Sequence, residues 1–303
     1  MFIVHNKSIF LGVTGIIVAL AIVAISVLGL PLGIDFAGGS LLEVSYSAER
    51  PEKGVVEEVL AEDIDGVFSL RGSGENGFIL RTHTLTSDEH EGIFEALSLG
   101  REGEVVEERF TSIGPVIGAE LREKALVAIA IVLAVIILYI AFVFRHVSET
   151  VSSWKYGLVA VVALVHDIIV PAGAFALWAH YTGAEIDTLF VMAILAILGY
   201  SVNDTIVIFD RVRENLTHNR EMHSKEPFAE TVGRSLSQTF ARSINTSLTT
   251  LFVLGTLFFL GGVATTDFAF TLIIGIIAGA YSSLFFAAPL LVQLAGREHT
   301  EGY

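Results

Sequence analysis

One acidic residue lies inside a stretch that is otherwise long and apolar. From Ile186 to Asn215 the chain reads IDTLFVMAILAILGYSVNDTIVIFDRVREN, which contains Asn203 and Asp204. An aspartate at the centre of a bilayer costs about 2.5 to 3.5 kcal/mol, so such residues usually face the interior of a helix bundle or a water-filled path. Arg211 follows about 10 Å further along a helix. Asp204 could therefore carry a proton, or it could be a polar contact that holds helices together.

Further polar residues occur in neighbouring apolar runs. His166 and Asp167 lie about 15 Å into one of them, near mid-membrane depth. Histidine titrates near neutrality, so this pair is either a proton station or a hydrogen-bonded structural pair. Arg242 opens a later run, and Thr246 follows on the same helix face. Arg242 is the best counter-charge for Asp204 in the sequence, although it could equally be an anchor at the membrane surface.

The composition predicts a membrane protein and excludes several classes of site. The 303 residues are 53% hydrophobic and 17% charged, and the mean hydropathy is +0.68. The chain has no cysteine, which excludes disulfides and thiolate metal sites. A net charge of −15 argues against binding to nucleic acid. Because neither HExxH nor GxSxG occurs, we expect no enzyme, no metal and no cofactor.

Hydropathy divides the chain into six spans and one domain. Each apolar run is near the ~20 residues needed to cross a hydrocarbon core about 30 Å thick. The runs are 9–30, 126–144, 156–181, 186–209, 244–260 and 268–294. The segment after the first run is charged, mostly acidic and rich in turn residues. We therefore assign 1–30 to the first transmembrane helix, 31–122 to a folded domain, 123–294 to five further transmembrane helices and 295–303 to a cytoplasmic tail.

The domain is predicted to have the order β-α-β-β-α-β of a ferredoxin-like fold. Alternation of apolar and polar residues predicts strands at 41–46 and 105–110, and a Gly-rich tip at 72–77 predicts a hairpin. Helices are expected at 52–61 and after Ser87, its predicted cap. The predicted fold class is thus a membrane bundle of six transmembrane helices with an inserted, extracytoplasmic α+β ferredoxin-like domain.

Basic residues in short loops predict the orientation. Lys7, Arg145 and Lys155 flank the first three spans, and six Lys or Arg residues lie between 211 and 242. The loops HYTGAEID and GGVATTD carry none. The positive-inside rule therefore predicts that both termini are cytoplasmic and that the domain is extracytoplasmic. Residues 227–240 are predicted to form a cytoplasmic amphipathic helix, which either lies at the membrane surface or only connects to the next span.

Small residues predict helix contacts and hinges. Small side chains let helix backbones approach closely, and glycine adopts conformations that other residues avoid. Packing positions are predicted at Gly199, Gly275, Gly279 and Ser283. Hinge positions at the domain junctions are predicted at Gly33, Asp35, Gly38, Gly39, Gly114, Pro115 and Gly118.

Ordered motifs along nearly the whole chain resemble one protein family. The motifs are GIDFAGGS, RFTSIGPVIGAELREKA, ALVHD, GYSVNDTIVIFDRVREN, RSINTSLTT and GAYSS. They are similar to those of the SecD/SecF family of protein-export membrane proteins, within the resistance-nodulation-division superfamily. The resemblance implies a SecF-like subunit of the cytoplasmic (inner) membrane, with SecD supplying six further spans. It also implies cooperation with the SecYEG channel and SecA, and use of the proton-motive force to complete translocation of an unfolded secreted polypeptide.

The resemblance also implies roles for the polar residues within the spans. Asp204 would be the proton-carrying acid and Arg242 its basic partner. The path would be lined by Asn203, Thr246, His166 and Asp167. The alternative is a proton-coupled small-molecule exporter of the same superfamily, which would need a substrate-sized apolar or aromatic cleft outside the membrane. The predicted domain is small for such a cleft.

Overall fold

The structure, a computed structural model, describes residues 2–64, 66–99, 104–143 and 153–295. Six segments in this part of the chain are long and apolar enough to cross a membrane. The six predicted spans are therefore confirmed. Arg145 and residues 296–303 of the predicted tail lie outside the described residues. In chain order the helices before the sheet are α1 (Phe2–His5), α2 (Lys7–Leu28) and α3 (Ile34–Ala37).

The domain between the first two spans has the predicted α+β fold. Its elements are β1 (Gly39–Tyr46), α4 (Lys53–Asp63), β2 (Ser69–Ser73), β3 (Gly77–Thr82), α5 (Ser87–Ser98) and β4 (Val105–Ile113). The four strands are antiparallel in the order β2-β3-β1-β4. Leu42 and Phe78 point to one face of the sheet, where Leu60 and Leu97 from the two helices complete the core. Burial of this face explains why β1 alternates apolar and polar residues.

The caps and bounds of the domain differ slightly from the prediction. The N-cap of α5 is Thr86 rather than Ser87, and it forms a capping box with Glu89. The two hydrogen bonds from Thr86 lower the pKa of the Glu89 carboxyl. The next helix, α6 (Pro115–Val143), begins directly after β4, so residues 115–122 belong to the second span rather than to the domain. A proline suits this first position because its missing N–H has no partner in a first turn.

Four further spans follow α6. They are α7 (Ser153–Thr182), α8 (Thr188–Glu221), α9 (Phe228–Leu260) and a sixth span made of α10 (Val263–Tyr281), a π-helical segment (Ser282–Ala287) and α11 (Ala288–Ala295). The sequence pattern did not predict the π-helical segment. Pro289 gives a physical reason for it, because a proline clashes with the carbonyl four residues earlier, that of Phe285. The wider turn lies where that clash would occur.

For residues 227–240 the structure contradicts the surface helix and agrees with the alternative, a connector to the next span. These residues are the first turns of α9, which continues without a break into the fifth span. With 34 and 33 residues, α8 and α9 are each about 50 Å long and exceed the hydrocarbon core by about 20 Å. Val232 and Leu236 are fully buried against other helices. The apolar stripe therefore packs on protein and not on the membrane surface.

Candidate functional site

Asp204 lies on the face of α8 that packs against α9. The Oγ of Ser243 donates a hydrogen bond of 2.6 Å to its Oδ1. Its Oδ2 is buried and has no hydrogen-bond partner among the described residues. One turn further along α9, Ser247 accepts a hydrogen bond of 3.3 Å from Tyr200 of α8. Asp204 thus has one donor and one carboxylate oxygen that can take up a proton.

Arg242 does not pair directly with Asp204 within the described part of the chain. Neighbouring residues of a helix point about 100° apart, and it is Ser243 that faces the acid. Arg242 is exposed, and its carbonyl accepts a hydrogen bond of 2.9 Å from Thr246, which is exposed as well. The direct pairing expected from the sequence is therefore absent in this structure.

Polar and small residues form an exposed stripe on each of these two helices. Asn203 and Gly199 are exposed on α8, and no other atom lies within 4 Å of a Cβ built on Gly199. Gly199 is therefore not a packing position within this chain, contrary to the prediction. Arg242, Thr246 and Thr249 are exposed on α9. Polar side chains in a membrane normally face protein or water rather than lipid.

His166 and Asp167 form a separate, fully buried cluster. The Nδ1 of His166 lies 2.7 Å from Oδ1 of Asp167. Oδ2 of Asp167 accepts hydrogen bonds from Ser201 of α8 and, at 2.8 Å, from Ser282 of the π-helical segment. Asp167 is 0% exposed and His166 3% exposed. We call these four residues the Asp167 cluster, and no hydrogen bond between described residues joins it to Asp204.

The sixth span contacts α8 at every fourth residue. Gly275 lies against Ile197, and a Cβ built on Gly279 would be 3.1 Å from the Cβ of Ser201. One turn later Ser283 lies 2.9 Å from the hydroxyl of Thr205. We call these contacts the packing row. Its members repeat at the four-residue spacing that places side chains on one helix face.

The glycines of the domain junction allow close packing. Gly38 and Gly39 have φ values of +79° and +131°, which side chains rarely adopt. A Cβ on Gly38 would be 2.7 Å from the Cα of Pro115, and one on Gly118 would be 2.8 Å from the nitrogen of Gly38. At Gly114, by contrast, a Cβ would meet open space. The structure thus shows a tight contact of α3 with α6, and the hinge role stays a prediction.

The linker before the domain is joined to the start of α8. Asp35 accepts hydrogen bonds from the backbone nitrogen and the hydroxyl of Thr188, at 2.9 and 2.7 Å. The nitrogen of Gly33 donates to the carbonyl of Ile186, and the nitrogen of Ile186 donates to Pro31, at 2.8 and 2.7 Å. Asp35 therefore connects the domain junction to the helix that carries Asp204.

Two arginines on the helix-free face of the sheet contact the membrane helices, and the sequence analysis missed both. Arg71 binds Asp267 of α10 with two bonds of 2.7 and 3.0 Å. Trp178 of α7 donates to the same carboxylate at 2.7 Å. Arg81 lies 3.3 Å from Glu185 in the α7–α8 loop. The only sequence signals are two arginines on neighbouring strands and a lone acid at the start of a span.

A polar cavity of about 220 Å³ separates the sheet from the helix ends. Acids and arginines from both sides line it, including Glu43, Arg109, Glu185 and Asp187. Burial raises the pKa of Glu185, an effect that the charges of Arg81 and Arg71 oppose. Burial likewise raises the pKa of Asp187. The two carboxyl groups therefore lose hydration where the domain meets the bundle.

Comparison with known proteins assigns the family. A family model described as "Protein export membrane protein SecD/SecF, C-terminal" matches residues 95–297. A second, the "SecD/SecF GG Motif", matches residues 23–49, which include the paired glycines of the junction. The chain belongs to the SecD/SecF family.

Curated relatives place the chain on the SecF side of this family. The protein translocase subunit SecF of Thermobaculum terrenum is 38% identical over 289 residues, which cover 89% of this chain and 86% of the relative. That of Anaerolinea thermophila is 32% identical over 293 residues, or 96% and 92% of the two chains. The chain is therefore a SecF-type subunit of the protein-translocation machinery and not an enzyme.

Two solved structures of SecDF share the fold. A crystal structure of SecDF, a translocon-associated membrane protein from Thermus thermophilus, matches with a TM-score of 0.84 at 29% identity, over 97% of this chain and 38% of that one. SecDF in a super-membrane-facing form matches with a TM-score of 0.69 at 30% identity, over 98% and 39%. This SecF-type chain thus spans about two fifths of the SecDF chains and is a multi-pass membrane protein.

Proposed function

We propose that this subunit acts with SecD and uses the proton-motive force to complete translocation of unfolded secreted polypeptides, with Asp204 as the proton carrier. The observation that carries the proposal is the carboxylate of Asp204, which has a single donor and a buried oxygen without a partner among the described residues. A proton that crosses about 100 mV releases about 2.3 kcal/mol, which shifts an equilibrium about fifty-fold.

The exposed polar face of α8 and α9 supports SecD as the direct partner. Asn203, Arg242 and Thr246 lie on this face, next to Asp204. A region like this chain forms 38% of the Thermus SecDF chain, which leaves room for a second bundle. Under the proposal, spans of SecD cover the polar face and exclude lipid. Arg242 then acts at that interface, and SecYEG and SecA are the wider partners.

Charge asymmetry supports an orientation in the cytoplasmic membrane. The ends of α8 and α9 that extend past the hydrocarbon core carry Arg211, Arg213, Arg220 and Arg234. Under the positive-inside rule this end is cytoplasmic, as are both termini, and the ferredoxin-like domain is extracytoplasmic. A domain on the outer side is in place to act on the emerging polypeptide.

Replacement of Asp204 tests the proton-carrier proposal. Asp204→Asn is nearly isosteric and still accepts from Ser243, so folding and binding of SecD should survive. The variant cannot take up and release a proton, and we expect it to abolish proton-dependent export. The measurement is completion of preprotein translocation into inverted membrane vesicles that contain equal amounts of each variant.

A matched control lies on the same helix. Asp210→Asn removes an exposed acid whose carboxylate pairs with Arg213 at 2.6 Å, and it should export like the unmodified protein. Equal proton-dependent export by Asp204→Asn and the unmodified chain would show that Asp204 only holds helices together.

The competing function, a small-molecule exporter, predicts a different partner set. Seven of the sixteen residues that line the cavity between the domain and the helices are charged and none is aromatic, whereas such an exporter needs an apolar or aromatic cleft. Co-purification of the tagged protein followed by mass spectrometry separates the two functions. Recovery of SecD with the channel supports export of polypeptides, and recovery of an outer-membrane pore would support the exporter.

A further inference from the structure

We propose that Asp167 is a positioning residue that sets the rotation of the fourth span, so that Asp204 faces α9. The inference rests on the proposed function of Asp204 and gives the Asp167 cluster a role other than proton transfer. Three observations support it. They are the donors that surround Asp167, the different spans to which these donors belong, and the contacts of the packing row.

The first step is that Asp167 differs from Asp204 in how its oxygens are satisfied. Asp204 has one donor, whereas Asp167 contacts His166 through one oxygen and accepts from Ser201 and Ser282 through the other. A buried carboxylate that contacts several donors is held in one orientation, because a turn of the carboxylate would leave those donors unsatisfied. Asp167 therefore serves as a fixed acceptor.

The second step concerns His166, which completes the cluster. Its Nδ1 faces Asp167 at 2.7 Å, and its Nε2 is buried without a partner among the described residues. Its ring lies 6.1 and 5.8 Å from the rings of Tyr281 and Phe286. Because a carboxylate oxygen only accepts hydrogen bonds, the nitrogen that faces it, Nδ1, is the one that carries a proton. His166 then acts as a third donor to Asp167.

The third step is that these donors belong to different spans. His166 is on α7, Ser201 is on α8, and Ser282 is the first residue of the π-helical segment. One carboxylate thus joins the third, fourth and sixth spans at full burial. Loss of Asp167 would leave the buried hydroxyl of Ser201 without a partner among the described residues, whereas Ser282 also donates to the carbonyl of Gly279 at 3.1 Å.

The fourth step connects the cluster to the proton site. Ser201 and Thr205 precede and follow Asp204 in the sequence of α8. Thr205 contacts Ser283, which follows Ser282, the residue that donates a hydrogen bond to Asp167. A rotation of α8 by one residue, about 100°, would break both contacts. The same rotation would turn Asp204 away from Ser243. The cluster and the packing row therefore hold the acid in place from the neighbouring face of the helix.

The test compares the pH dependence of export among variants at equal abundance. Among the ionisable groups, His166 contacts Asp167, and Tyr281 lies against the ring of His166. Arg242 is the charged group near Asp204, although Ser243 is the residue that faces it. Asp167→Asn should keep proton-dependent export but shift its pH midpoint by about 0.5 unit or more, because the environment of Asp204 changes. In an Asp204→Asn background, the same change should have no further effect on export.

A second variant covers the possibility that Asp167→Asn does not fold. Ser282→Ala removes one donor to Asp167 and should shift the midpoint in the same direction by a smaller amount. Its control is Thr271→Val in the same span, since the hydroxyl of Thr271 is buried and bonds within its own helix at 2.9 Å. That control should leave the midpoint unchanged.

The outcomes separate this inference from the proposed function. Complete loss of proton dependence in a folded Asp167→Asn protein would make Asp167 a carrier and overturn the inference. An unchanged midpoint in both the Asp167 and Ser282 variants would reduce the cluster to structural support and overturn it as well. The proposed function fails separately, if Asp204→Asn alone exports like the unmodified protein.

Discussion

At the scale of single residues, Ser243 is the hydrogen-bond donor that faces the carboxylate of Asp204. A sequence shows that Asp204 and Arg242 have opposite charges and lie in neighbouring spans. It does not show which of two adjacent residues on α9 faces the acid, because that depends on the rotation of one helix against another. The structure gives this place to Ser243, which leaves Arg242 free to meet a partner.

The exposure of Arg242 leads to a prediction about export and stability. Arg242→Ala should impair proton-dependent export several-fold, because the charge next to the Asp204 site and the SecD surface is lost. The free energy of unfolding should change by less than about 0.5 kcal/mol, as is usual for surface substitutions. Export into inverted vesicles and thermal melting of the purified protein measure the two effects.

Two further variants sharpen this prediction. Arg242→Lys keeps the charge but loses the planar guanidinium, so its export should fall between those of Arg242→Ala and the unmodified protein. Arg220→Ala removes a charge from the same helix pair, further from Asp204, and should have little effect. Full export by Arg242→Ala would show that this arginine is only a topological anchor.

At the scale of elements, hydropathy predicted the spans because twenty apolar residues in a row have few alternatives to a membrane helix. The order of strands and helices in the domain followed from periods of 2 and 3.6. The same kind of pattern left two interpretations open at 227–240. Apolar residues at Phe228, Val232 and Leu236 mark one face of a helix, but the pattern does not say whether lipid or protein covers that face.

Two glycines in the membrane should respond in opposite ways to the same change. In Gly275→Ala, the new Cβ meets the side chain of Ile197, and we expect a loss of about 1 to 3 kcal/mol in the free energy of unfolding. In Gly255→Ala on α9, the new Cβ meets nothing within 4 Å, and the helix should gain up to about 1 kcal/mol. Thermal unfolding in detergent measures both.

The reason for the contrast is the packing row, which exists only in the three-dimensional arrangement of α8 and α10. Small residues in the sequence suggested close contacts at Gly199 and Gly275 alike. Only the structure separates them, because Gly199 faces outward and Gly275 faces Ile197. If the Gly275 and Gly255 variants melted at the same temperature, the close approach of these two helices would be in doubt.

At the scale of the whole molecule, the domain and the bundle are joined by contacts between residues far apart in the chain. Arg71 and Asp267 are 196 positions apart, so neither periodicity nor a local motif could indicate that they meet. The helix-free face of the sheet was predictable from the fold. The residues that cover that face were not predictable, because they depend on how the membrane helices are arranged below the sheet.

The ion pair between Arg71 and Asp267 should contribute measurably to stability. Its side chains are 14% and 12% exposed and bind through two hydrogen bonds. A double-mutant cycle with Arg71→Ala and Asp267→Asn should give a coupling free energy of about 1 to 3 kcal/mol. Denaturant unfolding of the purified protein measures it.

The domain itself provides the control for this cycle. Lys53 and Glu57 form a pair on α4 whose side chains are 56% and 43% exposed. The corresponding cycle with alanine at both positions should give less than about 0.5 kcal/mol. A coupling at Arg71 and Asp267 as small as this would mean that the domain is not held at the bundle by these residues.

The depth of Asp204 along α8 has an electrical consequence. Thr188 and Arg211 are 23 positions apart on this helix, or about 34 Å, and Asp204 lies about 24 Å from the outer end. With the domain on the outer side, as proposed, a proton that enters from outside crosses about 70% of the membrane voltage before it reaches the carboxylate. A potential of 100 mV then favours protonation of Asp204 as strongly as a fall of about 1.2 units in the external pH. If Asp204 is the proton carrier proposed above, voltage and pH are nearly interchangeable at this residue, and either one drives the subunit when the other is lost.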